Sequence, residues 1–243
     1  MLPVAILAGG LATRMHPITK TIPKALVSVA GRPFVLWQLE YLRDQGVSRV
    51  VLCTGYRSSQ IKQTVGDGSQ FGIEVKYSDD GSTLLGTGGA LGKALPLLGA
   101  EFFVLYGDVF LPVSFSAVEK AYYTSDLPGL MTVYRNQGQW DISNVIFNND
   151  RVLEYNKFRP RRDMAYIDYG LGILSNRVLD HYSRETVLDL ATVYEALANA
   201  GQLAGFEVFE RFYEIGSPDG LAQTEEYLRS KSSLQEVFDY DVQ

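Results

Sequence analysis

The chain has 243 residues, 46% of them hydrophobic, and a formal net charge of −6. This length suits one large α/β domain or two small ones, and the apolar fraction is enough for a sizeable core. The negative charge argues against a general polyanion-binding surface. We therefore expect no nucleic-acid partner, and any anion site must be local.

Cysteine and histidine are too scarce for the common metal and disulfide frameworks. The single Cys53 excludes an internal disulfide and a cysteine-rich zinc site, and the two histidines, His16 and His181, are far apart in sequence. No apolar run reaches the roughly 18 residues of a membrane span, and no signal-peptide pattern opens the chain. We expect a cytoplasmic protein without a membrane partner.

Short apolar runs alternate with helical patterns through the first half. The run VAILAG reads as a buried strand, and the helical pattern after it has Pro33 at its start and Gly46 after its end. This alternation predicts a mainly parallel sheet covered on both faces. The predicted strands are residues 4–9, 49–55, 73–77 and 102–106, and the predicted helices are 33–45, 58–65, 89–98 and 116–123.

The second half is richer in strands, and Asn148, Asn149 and Asp150 carry a hairpin turn signal. We see no linker and no repeat, so we predict one domain over 1–230 with halves of about 1–125 and 126–230, and a tail over 231–243. The predicted strands are 130–134, 144–147, 152–155, 167–174 and 204–209, and the predicted helices are 177–182, 190–200 and 218–228.

The segment VAILAGGLATRMHPITKTIPKAL suggests an anion site. A buried strand that ends in Gly9 and Gly10 leaves backbone N–H groups bare and lets a ligand approach closely. Arg14 and Lys24 follow on a loop that two prolines stiffen, and fixed cations beside such a turn favour phosphate. The alternative is an ordinary strand-to-helix turn with surface cations.

Two glycine-rich segments have some features of nucleotide-binding motifs but lack the residues that define them. The turn after Gly10 lacks the G-x-G-x-x-G dinucleotide fingerprint. The stretch GTGGALGKA resembles a P-loop, but Thr87 replaces its first Gly and Ala94 replaces its Ser or Thr, so we reject an ATPase. Lys93 is then interpreted as a solvated helix lysine.

Several motifs together resemble the sugar-1-phosphate nucleotidylyltransferases, also called nucleotide-sugar pyrophosphorylases. The segment LAGGLATRMHPITKTIPKAL is similar to their N-terminal signature, with Ala12 in place of the usual Gly. The segments VAGRPFVLWQLEYLRDQGVSRVVLCTGY, LLGTGGAL and LYGDV extend the resemblance over about residues 2–228. The match is most like the mannose- or heptose-1-phosphate guanylyltransferase type.

The resemblance implies the nucleotide-diphospho-sugar transferase fold. This is a Rossmann-like, mixed, mainly parallel α/β sheet with helices on both faces and a β-rich, sugar-binding insertion. It implies a nucleotidyltransferase that joins a nucleoside triphosphate and a sugar-1-phosphate into an NDP-sugar and pyrophosphate. We expect no appended acyltransferase or β-helix domain, and a homo-oligomer is left open.

The resemblance also implies roles for residues of the first half. Arg14 and Lys24 would be catalytic, Arg14 at the β- and γ-phosphates and Lys24 at the α-phosphate. Asp108 and Glu214 would bind Mg²⁺, although the family usually has Asp where this chain has Glu214. The implied nucleotide-binding residues are Leu7, Ala8, Gly9, Gly10, Thr13, Gly86, Thr87 and Gly88.

The implied sugar-phosphate-binding residues are Asn144, Lys157, Asp168 and Gly170. The loop over 85–89 lacks the Gln that thymidylyl- and uridylyltransferases often place near the base, which favours GTP. Two alternatives stay open. One is a cytidylyltransferase acting on a sugar phosphate or phosphocholine, and the other is a non-catalytic regulator that binds nucleotide sugars.

Overall fold

The computed structural model describes residues 1–11, 15, 17–182 and 186–240. Its first half alternates strands and helices in the predicted order. The strands are β1 (Val4–Leu7), β2 (Ser28–Val29), β3 (Arg32–Pro33), β4 (Arg49–Thr54), β5 (Glu74–Asp79), β6 (Glu101–Tyr106) and β7 (Val109–Phe110). The helices are α1 (Phe34–Asp44), α2 (Ser58–Val65), α3 (Gly86–Leu98) and α4 (Phe115–Ser125).

The second half adds strands to the same main sheet. Its strands are β8 (Gly129–Arg135), β9 (Val145–Asn148), β10 (Arg151–Tyr155), β11 (Tyr166–Ser175), β12 (Leu203–Val208) and β13 (Tyr213–Glu214). Its helices are α5 (Leu190–Asn199) and α6 (Pro218–Tyr240).

The main sheet has nine strands in the order β5-β4-β1-β6-β11-β8-β12-β10-β9. Strands β5, β4, β1 and β6 run parallel to one another. The chain goes outward from β1 through β4 to β5 and then returns to place β6 on the other side of β1. Such a reversal opens a crevice between the carboxyl ends of β1 and β6, where ligands of open α/β sheets bind.

Side chains of the central strands alternate between two hydrophobic layers. Val4 and Ile6 of β1 join the layer beneath α1, α2 and α4, whereas Ala5 faces the layer beneath α3 and α5. All three are fully buried. This two-sided burial explains why β1 reads as an unbroken apolar run, and it confirms the predicted sheet with helices on both faces.

The second half contains the antiparallel part of the sheet. Strand β11 pairs antiparallel with both β6 and β8, so it joins the two halves into one sheet. Its register shifts between Asp168 and Gly172, and this irregularity lies beside the carboxyl end of β6. A bulge of this kind turns side chains toward a site next to the sheet.

Local sequence signals predicted one turn correctly and the bounds of two helices incorrectly. Asn149 and Asp150 have φ angles of 50° and 56° and form the predicted two-residue turn between β9 and β10. The predicted helix over 177–182 is instead a short 3₁₀ turn, Asn176–Leu179. The N–H of Asn176 donates to the carbonyl of Ala100. The last helix runs to Tyr240, beyond the predicted end at 228.

A third, smaller core cluster packs α6 and the turn before it against the short strands β2 and β7. Ile215 and Leu228 pack with Phe110 of β7 and with Val29 of β2, and all four are buried. This packing places the turn before α6 beside the carboxyl end of β6. Among the described helices, none is both long and apolar enough to cross a membrane.

Candidate active site

Two glycine turns form the floor of the crevice between β1 and β6. Gly9 and Gly10 follow β1, and Gly107 follows β6 and donates its N–H to the carbonyl of Leu7 at 3.0 Å. A Cβ atom on Gly107 would lie 2.6 Å from that carbonyl oxygen, so only glycine lets the two strand ends come this close.

A cation and a carboxylate lie at the edge of this floor. Lys24 begins a short 3₁₀ turn after the extended Pro23, and its Nζ donates to Oδ2 of Asp108 at 2.7 Å. The two side chains are 16% and 35% exposed. Asp108 is held by its backbone, whose carbonyl accepts the N–H of Ile215 at 2.9 Å. Two residues 84 positions apart in sequence thus meet at the edge of the crevice.

The crevice is a cavity of about 410 Å³. Its lining contains eight of the predicted site residues: Leu7, Ala8, Gly9, Gly10, Lys24, Gly86, Thr87 and Asp108. A cavity of this size matches the usual range for small-molecule sites.

The glycine loop at the start of α3 packs against the segment before α5. The N–H groups of Gly88 and Gly89 both donate to the carbonyl of Leu188, at 2.8 and 3.2 Å. Gly86 has a φ of 73°, and a Cβ there would lie 2.6 Å from the same carbonyl oxygen. Gly86 and Thr87 line the cavity, whereas Gly88 is buried beneath Leu188 and is not part of the lining.

The predicted sugar-side residues form a second group beside the cavity. Oδ1 of Asn144 accepts the N–H of Asp168 at 3.2 Å, and Oδ1 of Asp168 accepts the N–H of Gly170 at 3.0 Å. Gly170 has a φ of 104°, and a Cβ there would lie 3.2 Å from a methyl of Val109. The structure therefore brings Asn144, Asp168 and Gly170 together around the bulge in β11.

Asp168 is an acid in an unfavourable environment. Burial raises its pKa from 3.8 to about 6, while the N–H of Gly170 and the positive charge of Lys157 act in the opposite direction. Such a carboxyl exchanges its proton near neutral pH, and perturbed groups of this kind cluster at functional sites. Lys157 donates to Oδ2 of Asp189 at 3.0 Å, and neither lines the cavity.

Comparison with known proteins identifies the family. The profile of the nucleotidyl transferase family matches residues 4–139. An N-acetylmuramate alpha-1-phosphate uridylyltransferase from Neisseria meningitidis serogroup B is 31% identical over 218 residues, which cover 87% of this chain and 92% of that protein. The chain belongs to the nucleotidyl transferase family. It is a nucleotidyltransferase of the sugar-1-phosphate type, as the motifs predicted.

Two further similarities bear on this nucleotidyltransferase. A D-glycero-alpha-D-manno-heptose 1-phosphate guanylyltransferase from Campylobacter jejuni is 39% identical over 114 residues, which cover 47% of this chain and 51% of that protein. The crystal structure of HddC from Yersinia pseudotuberculosis complexed with GMP-PN has a TM-score of 0.77 and 24% identity, and covers 94% of this chain and all of that one. The structural likeness confirms the predicted fold.

Two predicted residues of the nucleotidyltransferase signature, Thr13 and Arg14, lie outside the described residues. Glu214 is described and lies next to Asp108 across the β7–β13 pair, opposite Val109. Its carboxylate, however, accepts the N–H of Gly216 and the hydroxyl of Ser217, at the start of α6. Glu214 therefore stabilises the turn into that helix, whereas Gly216 lines the cavity.

The residues around the nucleotidyltransferase cavity fit a magnesium ion shared with a substrate. Mg²⁺ is usually held by one or two carboxylates together with phosphate oxygens, and it does not need an all-protein cage. Asp108 supplies a carboxylate on the cavity wall, and Glu214 lies opposite Val109, the residue that follows Asp108. Within the described part of the chain, no cluster of three or more His, Cys, Asp or Glu residues could hold a metal by itself.

Sequence reasoning missed Asp80, which also lines the cavity. Its Oδ2 accepts the N–H of Leu85 at 3.0 Å, but its buried Oδ1 has no hydrogen-bond partner among the described residues. Burial raises the pKa of this carboxyl. Asp80 directly follows β5 and precedes Gly81, so the pair reads as a turn. Its position at the end of a parallel strand is the signal that could have identified it.

Cys53, at the carboxyl-terminal half of β4, is a second missed lining residue. Burial, and after it the charge of Asp80, raises the pKa of its thiol to about 12. A thiol that stays protonated at neutral pH is a small apolar wall residue and a poor nucleophile.

Proposed function

We propose that this nucleotidyltransferase transfers a guanylyl group from GTP to a mannose- or heptose-type sugar-1-phosphate. An oxygen of the sugar phosphate attacks the α-phosphorus of GTP. The bond from that phosphorus to the oxygen bridging the α- and β-phosphates breaks, and pyrophosphate leaves. The products are a GDP-sugar and pyrophosphate.

The observation that carries the proposal is the convergence of backbone amides, Lys24 and Asp108 in one cavity at the switch point of the sheet. Both reactants are polyanions, so their repulsion and the charge of the leaving group dominate the barrier. Catalysis is then mainly positioning and charge stabilisation by groups fixed in advance.

Different residues carry out the positioning and the charge stabilisation. The amides of Gly9 and Gly10 approach the triphosphate, and Lys24 stabilises the charge that develops on the α-phosphate. Arg14 neutralises the departing pyrophosphate, a task for which its planar fork is suited. A bound Mg²⁺ would supply charge neutralisation to the phosphates, and Asp108 and Glu214 are the residues that would hold it.

The base assignment rests on Asp80 together with the loop over 85–89. A carboxylate only accepts hydrogen bonds, and guanine offers two adjacent donors, its N1–H and its 2-amino group. Uracil offers one N–H between two carbonyl oxygens, which the carboxylate repels. Asp80 lines the cavity and its Oδ1 lacks a donor among the described residues, so a base with two donors suits this carboxylate better than one with a single donor.

The sugar side rests on Asn144, Lys157, Asp168 and Gly170. Asp168 accepts hydrogen bonds from sugar hydroxyls, and the missing side chain of Gly170 leaves room for the ring. Lys157 binds the phosphate of the sugar.

The uridylyltransferase from Neisseria meningitidis supports UTP as the rival nucleotide, because its match covers most of both chains. A matrix of the four nucleoside triphosphates against a panel of sugar-1-phosphates and phosphocholine, read by pyrophosphate release, separates the possibilities. We expect the highest kcat/KM with GTP. Turnover with UTP or CTP but not GTP would contradict the base assignment. The absence of pyrophosphate release with every pair of substrates would indicate a non-catalytic binder.

A further inference from the structure

Asp189 connects the two halves of the candidate site. It is the residue that caps the N-terminus of α5, and its Oδ1 accepts the N–H of Ala191 at 3.0 Å. The same oxygen accepts the hydroxyl of Thr87 at 3.1 Å, and the other oxygen accepts Nζ of Lys157 at 3.0 Å. One carboxylate therefore contacts both a cavity-lining residue of the nucleotide side and the lysine assigned to the sugar phosphate.

The connection toward the nucleotide side is rigid. The hydroxyl of Thr87 also accepts the N–H of Leu190 at 2.8 Å, and Leu188 donates its N–H to the carbonyl of Leu85 at 2.9 Å. The segments over 85–89 and 188–190 are thus joined by several hydrogen bonds. A displacement of the nucleotide loop must displace Asp189 with it.

The connection toward the sugar side acts on a long, mobile side chain. Lys157 is 47% exposed and Asp189 is 35% exposed, and an ion pair so close to solvent contributes little to folding. Its effect is to restrict the rotamers of the lysine. An ammonium group has three donors, so the bond to Asp189 leaves two for a phosphate oxygen.

Hydrogen bonding explains why Asp189 is suited to this role. Burial acts to raise its pKa, but the N–H of Ala191, Lys157 and Thr87 together lower it below the ordinary value. The carboxylate therefore stays charged over the whole neutral range.

We propose that Asp189 is a positioning residue that aims Lys157 at the phosphate of the sugar and links that lysine to the nucleotide loop through Thr87. The inference rests on the proposed function, in which Lys157 binds the sugar phosphate. In this inference, Asp189 affects the binding of sugar-1-phosphate, and the effect depends on the position of the loop over 85–89, which binds GTP.

The test is Asp189→Asn, measured by pyrophosphate release. Asn keeps an oxygen for the α5 cap and for Thr87 but removes the charge that holds Lys157. We expect the KM for sugar-1-phosphate to rise about threefold to fivefold, with kcat and the KM for GTP changed less than about twofold, in line with the loss of one partly exposed ion pair. Glu225→Gln, which removes an ion pair of 2.6 Å to Arg229 on α6, is the matched control and should change no kinetic constant.

A double-mutant cycle with Lys157→Gln decides whether Asp189 acts through the lysine. In the Lys157→Gln background, Asp189→Asn should leave the KM for sugar-1-phosphate unchanged; the full single-variant effect in that background would overturn the inference. Thr87→Val tests the link and should raise the same KM, whereas a change confined to the KM for GTP would refute the coupling. If Asp189→Asn fails to fold, Thr87→Val still tests the proposal, because loss of its hydrogen bond to Asp189 must raise this KM.

The same assays separate this inference from the proposed function. Wild-type turnover together with an unchanged sugar-phosphate KM in Asp189→Asn refutes the role of Asp189 alone. The absence of wild-type turnover with every pair of substrates refutes the proposed function instead.

Discussion

The ammonium group of Lys24 lies 2.7 Å from Oδ2 of Asp108, so the proposed catalytic cation and the proposed metal ligand are bound to each other. Each satisfies the charge of the other at the rim of the cavity. In the proposed function, substrate phosphates would compete with Asp108 for Lys24, and a divalent ion would compete with Lys24 for Asp108. Occupation of the site would therefore exchange one internal ion pair for two contacts with ligands.

Replacement of the lysine tests its role in charge stabilisation. We expect Lys24→Met to lower kcat/KM by about 10²- to 10³-fold, because one preorganised contact to the developing charge is lost. The melting temperature should change little, since a partly exposed pair contributes about 0–1 kcal/mol to stability. Lys120→Met, at an exposed position of α4, is the matched control and should keep normal activity. Near-normal turnover of Lys24→Met would contradict the assigned role.

The same variant gives a prediction for the metal that does not depend on activity. Removal of Lys24 leaves Asp108 without its cation, so we expect Lys24→Met to bind Mn²⁺ more tightly than the wild type in the absence of nucleotide. Electron paramagnetic resonance of free Mn²⁺ measures this. Asp108→Asn should abolish the gain, and weaker binding by Lys24→Met would show that Asp108 is not the ligand.

The raised pKa of Asp168 predicts that its charged form lowers the stability of the fold, although the same form is the proposed acceptor for the sugar. Its folded-state pKa of about 6 lies above 3.8, so between these values the folded chain holds more protons than the unfolded chain. Stability from this group is therefore present at low pH and is lost as pH rises through about 4 to 6.

Asp168→Asn removes the loss of stability that ionisation of this buried carboxyl causes above its pKa. We expect its free energy of unfolding at pH 7, measured by urea denaturation, to exceed that of the wild type by on the order of 1–3 kcal/mol, and the difference to disappear near pH 4. The KM for sugar-1-phosphate should rise because the carboxylate acceptor is gone. A variant less stable than the wild type at pH 7 would contradict the account of this group.

Two glycines of the rim should respond differently to the same methyl group. In Gly107→Ala the new Cβ would lie 2.6 Å from the carbonyl oxygen of Leu7, so we expect a loss of about 2 kcal/mol or more of unfolding free energy. In Gly10→Ala nothing lies within 4 Å of the Cβ, so stability should be unchanged while the KM for GTP rises, because the proposed function brings the phosphates close to this backbone. Equal stability losses would contradict this division.

The order of elements in the first half was readable from the sequence because each signal there is local. Strand β1 is apolar on both faces, and α1 has Pro33 immediately before it and ends close to Gly46. The turn at Asn149 and Asp150 was readable for the same reason, since both residues tolerate a positive φ. Boundaries such as the start of α3 were less accurate, because tertiary contacts to Leu188 extend that helix.

Contacts between distant segments could not be read in this way. The bond from Thr87 to Asp189 joins residues 102 positions apart, and no spacing rule indicates it. The family resemblance implied that Glu214 is a metal ligand, but its carboxylate bonds to Gly216 and Ser217, a local competition that depends on side-chain direction. Its role as a ligand stays a prediction.

The most direct test of the central claim is phosphorus NMR of the purified protein with GTP, Mg²⁺ and mannose 1-phosphate, repeated with heptose 1-phosphate. The account predicts that pyrophosphate and a GDP-sugar appear in equal amounts, and that neither forms when the sugar phosphate is omitted. Release of inorganic phosphate with GDP would indicate hydrolysis at the γ-phosphate, and that result would contradict transfer at the α-phosphate.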